Sequence, residues 1–235
     1  MAIILSIETS TKTCSIAICQ DENLLTDFNV HIQNSHSGVI SQMIASCLSN
    51  VGKEFKELDA IAVSIGPGSY TGLRIGVSTA KGLAYALDIP IIQVSTLKAM
   101  ALQILPYLKE NEILMPMIDA RRMEVYTMEL NKSMECLKRP YALIFDEKTF
   151  EDKNSFYCLC GDGSFKAKDL LEKNQRVRIF DAIHPTAKSV GVLAFQKFLD
   201  NEFTLIEELE PFYLKEFYSP KAKNPLTKKI DANKK

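Results

Sequence analysis

The 235-residue chain is 46% hydrophobic, 24% charged and 9% aromatic, a globular composition that excludes a disordered, collagen-like or disulfide-framework protein. It has no apolar run of roughly 18 residues, and Met1-Ala2-Ile3-Ile4-Leu5 has no basic stretch before it, so neither a membrane helix nor a secretory leader is expected. The net charge of −1 is uneven: residues 221–235 carry six lysines and one aspartate, which leaves −6 on the rest and denies it the basic footprint of a nucleic-acid binder.

In chain order, Ile3 to Ile7 is an apolar run ending at Glu8. Cys14 to Cys19 and Leu24 to Val30 follow, separated by turn residues, and the three runs predict an antiparallel meander. Val39, Ile40, Met43, Ile44, Cys47, Leu48 and Val51 recur at helical spacing, with Ser35 or Ser37 as cap and Gly52 at the end. Leu58 to Ile65 reads as a buried strand that stops at Gly66. A helix from about Gly72 to Leu87, a strand Ile91 to Val94 and a Ser95-capped helix from Thr96 to about Leu105 complete a β-β-β-α-β-α-β-α order, which predicts an α/β layer fold.

The second half begins the same way. Leu114 to Ile118 ends in Asp119 as Ile3 to Ile7 ends in Glu8, and Glu124 to Leu130 follows as a second strand. Phe156 to Cys160 then runs into Gly161-Asp162-Gly163-Ser164-Phe165, the counterpart of Gly66-Pro67-Gly68-Ser69-Tyr70. Two landmarks in one order predict an internal duplication, with lobes at 1–108 and 109–219 and a flexible basic tail at 220–235. The six cysteines include no C-x-x-C, so reduced thiols in a cytoplasm are expected and a zinc site is not.

The string Gly66-Pro67-Gly68-Ser69-Tyr70-Thr71-Gly72 joins a strand to a helix. Two readings stand: a loop that presents backbone N–H groups to phosphate, or a tight turn whose glycines serve the backbone. It is neither a Walker loop nor a dinucleotide fingerprint, and Pro67 removes one donor. Glu8 and Asp119, facing across a cleft, could hold a magnesium ion through waters or be solvated turn acids. A nucleotide would meet Glu8, Thr9, Gly66, Gly68, Ser69, Asp119 and Arg121. His31 and His36 lack the i, i+4 spacing of a zinc peptidase, and no G-x-S-x-G elbow occurs.

The most informative feature is an absence. Residues 37–52 contain no charged side chain and residues 72–87 only Arg74 and Lys81, where the chain's 24% would place about eight. Gly72, Gly76, Ala80 and Ala84 form a ridge of small residues. Burial between lobes and docking of a partner both explain this, and the docking reading is preferred because interface cores are charge-poor. It predicts that Ile44→Asp and Ala80→Arg leave the chain folded and abolish pairing.

Ile65-Gly66-Pro67-Gly68-Ser69-Tyr70-Thr71-Gly72-Leu73-Arg74-Ile75-Gly76 resembles the signature of the TsaB (YeaZ) family of bacterial tRNA threonylcarbamoyladenosine biosynthesis proteins. The same holds for Glu8-Thr9-Ser10, Val94-Ser95-Thr96-Leu97, Ile118-Asp119-Ala120-Arg121 with Glu124-Val125-Tyr126, and Glu210-Pro211-Phe212-Tyr213-Leu214. The resemblance implies two duplicated ribonuclease-H-like lobes of the actin-like, sugar-kinase-like ATPase fold. It implies a non-catalytic scaffold for TsaD, which carries the ATP/ADP and the metal, working with TsaE, with tRNA held only indirectly and no cofactor of its own. It also implies pairing, with TsaD or with a second copy, through Val39, Ile40, Met43, Ile44, Cys47, Leu48, Gly72, Arg74, Ile75, Gly76, Thr79, Ala80 and Leu83. The older grouping with M22 glycoproteases finds no metal motif here. The rival reading is an ATPase or small-molecule kinase of the same fold.

Overall fold

A computed structural model describes residues 1–31, 36–146, 149–150, 155–168 and 174–215. The basic segment expected at 220–235 lies outside the described residues.

The first sheet is built from β1 (Ile3–Glu8), β2 (Cys14–Gln20), β3 (Asn23–Val30), β4 (Ala60–Gly66) and β5 (Ile91–Ser95), in the order β3-β2-β1-β4-β5. β1, β2 and β3 pair antiparallel, while β4 runs parallel to β1 and β5 parallel to β4. The second sheet uses β6 (Glu112–Asp119), β7 (Glu124–Leu130), β8 (Cys136–Ile144), β9 (Phe156–Cys160) and β10 (Val177–Phe180) in the order β10-β9-β6-β7-β8. Read from β8 this is the same order with the same pairing senses, so the duplication predicted from two short landmarks is a duplication of topology. β8 and β10 carry no clean alternation and were not predicted; both are edge strands, where one-sided burial weakens the pattern.

Four helices complete the described fold: α1 (His36–Asn50), α2 (Tyr70–Leu87), α3 (Thr96–Leu102) and α4 (Ala187–Leu199). The Ser69 hydroxyl accepts the Gly72 amide at the start of α2, and the Ser95 hydroxyl accepts the Lys98 amide at the start of α3. β1 is buried on both faces, and its alternation decides which helix each residue meets. Ile3, Leu5 and Ile7 join the core under α1 and α2, while Ala2 and Ile4 join the core under α4.

α3 and α4 differ from what the sequence indicated. Leu97, Met100 and Ala101 of α3 pack on Leu114, Ile118 and Met128 of the second sheet, although α3 follows directly from the first. α4 was not predicted; it packs Val190, Ala194 and Phe195 on the first sheet, with Gly191 against Cys19 and Ser6. The Thr204 amide then donates to Ile91 O, Leu209 enters the first core, and the Phe212 amide donates to Ile65 O at 2.7 Å. The lobe assigned to 109–219 is therefore corrected: residues 187–212 belong to the first. Their apolar surface is buried against the first sheet, Val190, Ala194 and Phe195 on one face and Leu209 in the core on the other.

Candidate functional site

The end of β1 places Glu8 in the interior, not in a cleft. Its side chain is fully buried, one oxygen accepts the Ser10 amide at 2.5 Å, and the other has no partner. Burial pushes this carboxyl above its ordinary range, against the opposing pull of Ser10 and Ser64. Glu8 lies opposite Ser15 on β2, and the buried Ser6 and Thr96 hydroxyls lack protein partners. The expected pair of carboxylates facing each other across a cleft is not formed.

The glycine turn is packed from within. A Cβ on Gly68 would fall closer than 3.0 Å to Ser10 O, one on Gly72 closer than that to Thr9 O, and one on Gly76 closer than that to the Thr9 hydroxyl. A Cβ on Gly66 would sit 2.7 Å from Phe212 O, and Gly66 itself has φ +119°. The Ser69 amide donates to Ser10 O at 2.6 Å, and the Thr9 hydroxyl donates to Gly72 O at 2.8 Å. The second lobe repeats the device: Gly161 has φ +106°, and both it and Gly163 press on the Met117–Ile118 backbone. Of the two readings of this string, the tight turn accounts for every glycine in it. The glycines bring backbone against the end of the first strand of each lobe.

Between the lobes lies a polar cleft of ≈ 790 Å³. Gly68, Ser69, Asp119 and Arg121 line it, with Lys12, Tyr70, Asp162 and residues 212–215; Glu8, Thr9 and Gly66 do not. Asp119 accepts the Arg121 amide at 2.5 Å, as Glu8 accepts that of Ser10, and pairs with Lys166 at 2.6 Å. Partial burial raises its pKa, but Lys166 and the Arg121 amide outweigh this and hold the carboxyl below its ordinary range. The two strand-end acids are thus pushed in opposite directions. Among the described residues, no three His, Cys, Asp or Glu side chains come together to hold a metal. In the first lobe the Ser69 and Gly72 amides of the glycine turn are bonded within the chain, and the strand-end acid is buried away from the cleft.

The model of the TsaD family, described as tRNA N6-adenosine threonylcarbamoyltransferase, matches residues 30–216. The Haemophilus influenzae tRNA threonylcarbamoyladenosine biosynthesis protein TsaB is 31% identical over 225 residues, covering 90% of this chain and 93% of the relative. The chain belongs to the TsaB family. YeaZ from Pseudomonas aeruginosa superposes with a TM-score of 0.79 at 25% identity, over 91% of this chain and all of that one. A dehydratase activator from Clostridium difficile solved with bound ADPNP has a TM-score of 0.52 at 9% identity, over 92% of this chain and 100% of that one, and shows the shared actin-like fold.

The expected TsaB pairing helices need correction at the level of single residues. Ile40, Met43, Ile44, Cys47 and Leu48 of α1 and Gly72, Gly76 and Ala80 of α2 are buried in this chain's own core. The small ridge of α2 fits against β1 and β4, not against a foreign helix. With Ile44 and Ala80 both buried, Ile44→Asp and Ala80→Arg are expected to disturb the fold itself. Val39, Ile75, Thr79 and Leu83 are half-buried, and Arg74 is exposed. Nor do these helices lie between the lobes, a place taken by α3. Besides Arg74, what remains outward is uncharged: Ser41, Gln42, Ala45 and Ser49 of α1, and Ser78, Gly82, Tyr85 and Ala86 of α2. Tyr85 is 81% exposed.

Sequence reasoning missed the contacts of residues 212–215. Tyr213 stacks on Tyr70 with ring centroids 4.7 Å apart, the Arg74 Nε donates to the Tyr213 hydroxyl at 3.3 Å, and Lys215 pairs with Glu124 at 2.5 Å. Glu210-Pro211-Phe212-Tyr213-Leu214 stood out only as a family-like ending; partners 91 to 139 residues away or farther leave no local pattern.

Proposed function

We propose that this chain acts in tRNA threonylcarbamoyladenosine biosynthesis as a non-catalytic scaffold that docks and activates a TsaD-type transferase. The observation that carries this is the outward face of α1 and α2, which offers Arg74 as its one exposed charged side chain and Tyr85 as a protruding ring. A solvent-facing helix pair ordinarily carries charge, whereas interface cores are depleted of it and enriched in tyrosine. The position of Glu8 inside the first lobe, outside the cleft, and the Ser69 and Gly72 amides bonded within the chain speak for the same reading, since phosphoryl transfer needs a metal-binding acid and phosphate-binding amides at the site itself. In this reading ATP/ADP and metal stay with the transferase, TsaE completes the assembly in the cytoplasm, tRNA is held by the other subunits, and the chain pairs with a second copy through the same face when alone.

The test is complex formation with the transferase of the same organism, followed by size exclusion with light scattering. Tyr85→Glu and Ser78→Arg alter exposed positions and are expected to keep the circular dichroism of the parent while weakening the complex at least tenfold. Undiminished complex formation by both variants sinks the docking face. Hydrolysis of ATP by the purified chain alone at about 1 per second or faster would favour the rival ATPase reading, in which Asp119, Lys12 and Arg121 of the cleft act on phosphate.

A further inference from the structure

The interlobe cleft is spanned by the chain's own C-terminal segment. Its first anchor is on the first lobe, where the Phe212 amide donates to Ile65 O at 2.7 Å and the Phe212 carbonyl fills the space that a side chain on Gly66 would need. The second anchor is aromatic: Tyr213 stacks on Tyr70 at the start of α2, while the Arg74 guanidinium lies 4.1 Å over the Tyr70 ring and reaches the Tyr213 hydroxyl. The third is on the other lobe, where Lys215 pairs with Glu124 at the start of β7. Phe212 to Lys215 form one wall of the cleft, with the glycine turn on one side and the β6–β7 hairpin on the other.

We propose that residues 212–215 are a latch that fastens the two lobes across the cleft and sets how far it opens. None of the four side chains is buried, so the latch releases without disturbing either core. An ion pair whose lysine is half exposed and one aromatic stack are each modest, which suits a fastening that opens and closes rather than a permanent seam. Lys12, Asp119 and Arg121 line the cleft and are already exposed with the latch fastened, so its release widens the cleft around them rather than uncovering them.

Hydrogen exchange on the full chain reads this directly. Lys215→Glu and Tyr213→Ala are expected to speed exchange about tenfold in peptides covering 66–72 and 119–124, while peptides from β1, β4 and α4 exchange as in the parent. Tyr213→Phe keeps the stack and loses the Arg74 bond, so its effect is expected to be smaller. The charge exchange Glu124→Lys with Lys215→Glu should restore protection. Two results overturn the latch: unchanged exchange at 66–72 and 119–124 in both single variants, or a rise spread evenly over the whole chain, which would make the segment ordinary packing.

Discussion

Thr9 and Gly72 are held together twice: the Thr9 hydroxyl donates to Gly72 O at 2.8 Å, and a side chain on Gly72 would overlap the Thr9 carbonyl oxygen. The contact brings the start of α2 onto the end of β1 closely enough that backbone meets backbone. The glycines of the string are needed for this approach, whatever the cleft binds.

Gly72→Ala and Gly68→Ala are therefore expected to destabilise the fold by about 1–3 kcal/mol each through forced overlap. Gly82, on the exposed side of the same helix, has nothing within 4 Å of an added Cβ, so Gly82→Ala should stabilise by about 0.5–1 kcal/mol. Urea unfolding of the three variants checks the opposite signs.

Glu8 should make stability fall with rising pH. Its pKa is raised in the folded chain, so the unfolded chain loses this proton first as the pH climbs past about 4.5. From there up to the folded pKa, the native state binds more protons than the unfolded state and stability declines. Glu8→Gln removes this contribution. The variant and parent should match near pH 4, and the variant should melt higher at pH 8; a parent that gains on the variant as the pH rises contradicts a carboxyl whose pKa burial has raised.

Ile44→Asp and Ala80→Arg should unfold the protein or cost more than about 3 kcal/mol, because each puts a charge among Ile7, Ile16, Leu48 and Val77 with no partner. Thermal melts distinguish this from the behaviour of exposed Ser78→Arg, expected within about 0.5 kcal/mol of the parent.

Glu112 and Arg178 make a bidentate pair, both contacts 2.7 Å, between β6 and β10, with Glu112 only 4% exposed. Arg178→Met leaves that carboxylate with the Lys109 amide as its remaining partner, and should cost about 2–3 kcal/mol, reduced from the fully buried case because Arg178 is 35% exposed. Denaturant midpoints of the single and double variants, with Glu112→Gln, measure the coupling.

Cys136 is the one exposed cysteine; the other five are buried. Burial pushes the Cys14, Cys19 and Cys158 thiols to about 11 and that of Cys47 to about 12. A thiol reagent at pH 7.5 should modify one site quickly and the other five only as urea unfolds the chain.

Strand-end acids and repeated glycine strings made the duplication legible in the sequence, because both sit at turns where local backbone geometry limits residue choice. Helical spacing identified α1 and α2 for the same local reason. That spacing also shows that a face is apolar, but not what covers it, and so Ile40, Met43, Ile44 and Ala80 were assigned to a partner although the first sheet buries them.

By itself the sequence determined the element order from β1 to β7, the twofold plan, the Ser95 cap and the scarcity of charge on two helices, all set by neighbours within a few positions. Only the tertiary structure decided that Glu8 is buried while Asp119 lines the cleft, that α4 returns to the first sheet, and that Tyr213 and Lys215 span the lobes. Those outcomes depend on which surfaces meet after the chain has folded back on itself over long separations, and no spacing rule encodes them.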